Sequence, residues 1–83
     1  MLDISWRALT SARRRADLSM EALYIRYIAL GGLASSAQLS AHFASGDPLS
    51  AIEHDVAVDA INERFLELHN PERLPYQSGS APT

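Results

Sequence analysis

The sequence predicts an all-α fold, a small four-helix bundle with helices near residues 3–16, 18–30, 36–45 and 48–69. Three observations carry that expectation. Apolar residues recur at three- and four-residue intervals along four stretches. Each stretch opens at Ser or Asp and closes at Gly, Asn-Pro or a run of Arg. No stretch alternates apolar and polar residues as a half-buried strand would. At 83 residues the chain makes one domain, residues 1–70, followed by the Pro/Ser/Gly-rich tail 71–83, which is expected to be disordered beyond Gln77.

The first helix reads from "DISWRALTSARRRA". Asp3 is the expected cap, and Trp6, Leu9, Ala12 and Ala16 form one apolar face. Arg13, Arg14 and Arg15 fall in its last turn, where cations suit the negative helix end. The second helix, "DLSMEALYIRYIALGG", has Asp17 or Ser19 as its cap and Glu21 in its first turn. Met20, Leu23, Tyr24, Tyr27, Ile28 and Leu30 cover a wide arc, and Ile25 and Ala29 lie on the other side. Such a helix is expected to be surrounded by neighbours. Gly31 supplies the left-handed residue that stops it. In the third, "SSAQLSAHFASG", Ser35 or Ser36 caps, Leu39 and Phe43 share a face, and Gly46 ends the helix.

The fourth helix is expected to start with Asp47 as cap and Pro48 at the first helical position, and to end at Asn70-Pro71. It carries two apolar stripes, Leu49–Ile52–Val56–Ala60 and Ala57–Ile61–Phe65–Leu68. They are rotated by roughly a third of a turn. Either the helix wraps around its neighbour or its two halves face different partners; the second is expected, because Val58 and Leu66 remain outside the first stripe. Leu74 and Tyr76 are placed to pack back onto it.

Composition narrows the chemistry. There is no Cys, which removes disulfides, thiolate zinc ligands and thiol chemistry. No apolar run approaches the ~18 residues of a membrane span. The opening "MLDISWRALT" lacks the long apolar core of a signal peptide, so a cytoplasmic location is expected. His42, His54 and His69 match no zinc spacing and read as helix-surface or helix-end residues. No Ser lies in a Gly-x-Ser-x-Gly elbow, and Gly31-Gly32 follow a helix where a phosphate loop would precede one. The expectation is a non-enzymatic protein without cofactor or metal.

Charge is distributed unevenly. All seven basic residues are Arg, which fits a GC-rich codon bias. Residues 1–30 carry a net charge of +2 and residues 31–83 a net charge of −5. The two halves should therefore attract, within one chain or between copies. Asp55, Asp59, Glu63 and Glu67 stand at successive i,i+4 positions and form an acidic ridge. Its nearest basic counterpart is the Arg13–Arg15 run.

At "MEALYIRYIALGG" and "DVAVDAINERF" the chain resembles short all-α proteins of GC-rich bacteria. Their pattern is an aromatic-rich helix ending at Gly-Gly, then a capped helix ending in a similar Asn-Glu-Arg. The resemblance implies a compact helical unit and lends no catalytic residue.

The function expected from these features is a small bacterial protein–protein interaction module, a regulator or adaptor that forms a homodimer or docks another protein. Tyr24, Ile28, Ile61, Phe65 and Leu68 would supply apolar contact. Asp55, Asp59 and Glu63, with Arg13, Arg14 and Arg15, would set register. The alternative is a helix-turn-helix regulator whose recognition helix opens at Pro48 and offers Ser50, Glu53, His54 and Asp55 to nucleic acid. Acids at that position face a polyanion, and the sequence pI is about 5.4, which weighs against it.

Overall fold

The computed structural model describes residues 6–77. Among them lie four helices: α1 (Trp6–Arg15), α2 (Met20–Ala29), α3 (Ser36–Ser45) and α4 (Ala51–Glu67). No strand occurs among the described residues. The fold is thus the expected small all-α bundle. The proposed Asp3 cap and the tail beyond Gln77 lie outside the described residues.

Helix stops set the topology. α1, α2 and α4 close with the same paired hydrogen bonds. The Leu18, Gly32 and Asn70 amides reach back to the Arg13, Tyr27 and Phe65 carbonyls at 3.2, 2.9 and 2.9 Å. The Asp17, Gly31 and His69 amides bond the Arg14, Ile28 and Leu66 carbonyls, nested one residue inside these. The residue at each left-handed position has φ of 56°, 95° and 56° respectively. Only Gly31 announces its role in sequence. Asp17 and His69 hold a conformation that costs an ordinary residue roughly 1–2 kcal/mol. Asp17 thus ends α1, and the cap of α2 is Ser19, whose hydroxyl accepts the Ala22 amide at 3.0 Å.

Caps also correct the start of α4. Asp47 does not cap it, and Pro48 lies outside the helix. Ser50 is the cap, accepting the Glu53 amide at 3.2 Å, and α4 begins at Ala51. Asp47 is committed elsewhere. Its amide bonds the Ala41 carbonyl, its carbonyl bonds the His42 ring, and its carboxylate accepts the Ser45 hydroxyl. In α3, Ser35 and Gln38 form a reciprocal capping box, as the cap position suggested.

α1 packs chiefly on α3, and α2 on α4. The core they share runs from Leu9, Ala12 and Ala16 through Leu18, Leu23 and Tyr27 to Leu39 and Phe43. The fourth helix completes it with Ala57, Val58, Ala60, Ile61 and Phe65. The two stripes of α4 therefore do not face two partners. The core face combines Ala57, Ile61 and Phe65 of one stripe with Ala60 of the other, widened by Val58 and His54, while Leu49 and Val56 pack at its edge and Ile52 and Leu68 are exposed. α2 is not surrounded either. Leu23 and Tyr27 enter the core, while Ile25, Ile28 and Ala29 stay at the surface.

After α4, residues 71–77 return in extended form along its outer face. Asn62 brackets Leu74, donating to its carbonyl at 3.0 Å and accepting its amide at 2.7 Å. Tyr76 donates its hydroxyl to Asp59, and the Gln77 amide donates to Asp55 at 2.6 Å. Leu74 and Tyr76 pack against the core as the sequence suggested.

Candidate functional site

Attraction between the two halves of the chain is realised within one molecule, through residues that the charge pattern did not single out. Arg26 on α2 grips Glu67 with two donors, at 2.8 and 2.6 Å, and reaches Glu63 at 3.2 Å. Arg64 adds a 3.2 Å bond to Glu67. Together the guanidiniums of Arg26 and Arg64 lower the Glu67 carboxyl to about 2. Asp59 and Asp55 serve the returning segment instead. Burial, with Asp59 as acceptor, pushes the Tyr76 hydroxyl up to about 12. The acidic ridge is therefore tied to its own chain along its whole length.

The Arg run divides. Arg15 forks onto Glu72, with its Nε 3.0 Å from both carboxylate oxygens. Arg13 donates to the Leu18 carbonyl at 2.6 Å. Arg14 is exposed and has no carboxylate partner among the described residues. None of the three meets the ridge formed by Asp55, Asp59 and Glu63.

Of the five apolar residues expected to bind a partner, Ile61 and Phe65 are fully buried in the monomer core and present nothing to a partner. Their stripe has the spacing of a docking face, but α4 spends it on intramolecular packing. Tyr24 is half-buried: its ring stacks on Tyr27 with centroids 5.8 Å apart, and its hydroxyl donates to the Ala34 carbonyl at 3.2 Å. Ile28 and Leu68 are surface residues. The most exposed apolar side chains are others: Leu33 at 86%, Ile52 at 72%, and Ile25 and Leu66 at 64% each. Ile25 and Ile28 lie on the outer side of α2. Leu33 and Ile52 adjoin its C-terminal end, because the Leu33 amide donates to Glu53 at 2.8 Å.

Two polar clusters pass unnoticed in the sequence. The first centres on Tyr27, whose buried hydroxyl donates to Glu53 and accepts the Ala34 amide at 2.8 Å. Burial and the Glu53 carboxylate raise the Tyr27 pKa. The Leu33 amide and the Tyr27 hydroxyl lower that of Glu53. This cluster pins the α2–α3 loop to the start of α4. It also explains Gly32, where a Cβ would lie 2.3 Å from the Tyr27 ring. The pairing Tyr27–Glu53 spans 26 residues, so no local pattern could have revealed it.

The second cluster is His42 and His54. They are not simple surface residues: His54 is 2% exposed, and its Nδ1 lies 3.0 Å from the His42 Nε2. The other His42 nitrogen is 2.7 Å from the Asp47 carbonyl and so carries a proton. The His54 Nε2 is buried without a hydrogen-bond partner. Burial, followed by the nearby His42, lowers the His54 pKa, with Asp55 opposing. The two rings have no third ligand at hand; among the described residues no group of three His, Asp or Glu is placed to hold a metal ion.

The residues of a recognition helix are likewise engaged. Ser50 caps, Glu53 turns toward Tyr27, His54 is buried and Asp55 takes the Gln77 amide. No helix among the described residues is long and apolar enough to cross a membrane. Compared with known proteins, the chain matches no protein-family model, no curated protein and no solved structure.

Proposed function

We propose that the chain is a protein–protein interaction module, a small bacterial regulator or adaptor of the cytoplasm that acts as a homodimer through the outer side of α2. The observation that carries this reading is the exposure of Ile25 and Ile28, three residues apart on one side of α2, with Leu33 and Ile52 as further exposed apolar side chains. Water contact with several large aliphatic side chains on one side of so small a chain favours a covering partner. A second copy of the same helix is the simplest partner, since a two-fold axis pairs a surface with itself. The acidic ridge and the Arg run play a lesser part in this reading than their charge suggests, because Asp55, Asp59, Glu63 and Arg15 are already paired within the chain.

Light scattering at micromolar concentration tests it. The expected result is a dimer that Ile25→Asp and Ile28→Asp each convert to monomer, with helix content unchanged because both side chains are exposed. A monomeric parent protein, or a dimer indifferent to both substitutions, would overturn the reading.

A further inference from the structure

A cavity of about 320 Å³ opens between α1 and α3, and its lining is chemically one-sided. Trp6, Met20 and Phe43 give it apolar walls, while Arg13 and Arg14 bring cationic donors and Ser40 a hydroxyl. Among the described residues no carboxylate lines it. Its volume is at the lower end of the range for small-molecule pockets, roughly 300–1,000 Å³.

The cations here differ from Arg15, Arg26 and Arg64, which carboxylates hold, and share with Arg7 and Arg73 the lack of one among the described residues. Arg15 and Arg26 are held by Glu72 and by Glu63 and Glu67. Among the described residues Arg13 has no carboxylate; its Nη1 donates to a backbone carbonyl, and its buried Nε has no hydrogen-bond partner there. A buried guanidinium N–H without an acceptor is costly, and an anion placed against it offsets that cost. Arg14 borders the same space and is also without a carboxylate partner among the described residues. Trp6 is held as a wall by the close approach of Gly46, where a Cβ would lie 2.5 Å from the indole Cδ1.

We infer that this cavity is a binding site for a small ligand that joins an oxyanion, carboxylate or phosphate, to a compact apolar body. Arg13 and Arg14 take the oxyanion, with Ser40 as a further donor, because planar guanidiniums match its geometry. Trp6, Met20 and Phe43 cover the apolar part. The site is separate from the outer side of α2, so it stands or falls independently of dimer formation.

Trp6 is the only tryptophan in the chain, so its fluorescence reports occupancy directly. Titrating the full chain with phenyl phosphate and with benzoate should change that emission saturably. The uncharged analogue benzyl alcohol and inorganic phosphate alone should each bind about tenfold or more weakly, the loss expected when a charged hydrogen bond or the apolar contact is removed. The stronger of the two anions identifies the headgroup class. Arg14→Met, an exposed substitution that leaves the fold intact, should weaken binding about tenfold, and Arg13→Met at least as much. Ligand-induced thermal shift supplies a second readout if Arg13→Met lowers stability: the parent chain should gain melting temperature with the anion and Arg14→Met should not. Equal binding of benzyl alcohol, equal binding of inorganic phosphate, or affinity unaltered in Arg14→Met would overturn the inference. So would a signal that appears only in Asp3→Asn, which would make the chain's own N-terminal carboxylate the occupant.

Discussion

Along the seam between α2 and α4, Arg26 meets two carboxylates and Tyr27 meets Glu53, while Arg64 adds a further bond to Glu67. Along the seam between α1 and α3, the Nε of Arg13 has no hydrogen-bond partner among the described residues and a cavity opens beside the packed helices. The difference originates in composition. The segment Trp6–Arg15 carries four Arg and no acid, and Ser36–Ser45 carries no acid either. Seven of the ten acids follow residue 46, and Asp55, Asp59, Glu63 and Glu67 sit on α4 where only α2 and the returning segment can reach them. One seam is therefore closed by complementary charge. The other is closed by apolar contact and one uncharged hydrogen bond, from the Thr10 hydroxyl to the Phe43 carbonyl at 2.7 Å, and leaves cations over.

Truncating a large core ring on each side breaks the comparison most forcefully. Phe65→Ala should cost about 3–5 kcal/mol, the range for a fully buried ring. Phe43→Ala should cost less, because Phe43 already borders the cavity and loses fewer contacts. Urea midpoints of the two variants check this; equal losses would mean that the α1–α3 seam is packed as tightly as the other.

A smaller effect separates two neighbouring glycines at the end of α2. Gly32→Ala should cost about 1–3 kcal/mol by driving a methyl group into the Tyr27 ring and loosening its bond to Glu53. Gly31→Ala meets open space and suffers only from its φ of 95°, about 1 kcal/mol. Thermal melts that reversed this order would place the helix stop, not the Tyr27 seat, in control of the loop.

The gentlest probe is pH, and it distinguishes the charged seam from the α3–α4 corner. His54 titrates at 6.5 when unfolded and lower when folded. Between these values the unfolded chain binds the extra proton, so stability is present above 6.5 and is lost as pH falls through the lowered value. Glu67 contributes stability above 4.5 that is lost only as pH falls toward about 2. Denaturation midpoints should therefore begin to fall below pH 6.5, well before the Arg26–Glu67 pair breaks. His54→Leu should abolish the first decline and leave the second, since it also removes a nitrogen that has no partner. A decline that persists in His54→Leu would assign it to another group.

Much of the fold was legible before any coordinates. The Leu9–Ala12–Ala16 face, the Ser35 cap, the Gly31 stop and the existence of four helices follow from local periodicity and capping, which depend on residues three or four apart. The errors at α4 share one cause. Asp47-Pro48 is as good a local start as Ser50, and the choice is made by what Asp47 does for His42 and Ser45 on the preceding helix. Likewise Ile61 and Phe65 look the same whether they pack on their own chain or on another. The candidate ligand cavity drew on the Arg run noted in sequence, but its Trp6, Ser40 and Phe43 walls come from two helices with no local spacing in common.

By itself the sequence determined the helices, their approximate limits, the absence of thiol chemistry and the attraction between a basic first half and an acidic second half. Only the tertiary structure decided which charges meet. It placed Arg26, and not the Arg13–Arg15 run, beside Glu63 and Glu67, turned Glu53 inward to Tyr27, and buried His54 against His42. Helix formation is a local equilibrium that a few neighbouring residues can set. Pairing of side chains 26 or 41 residues apart depends on how helices cross, and that is fixed by the packing of the whole core.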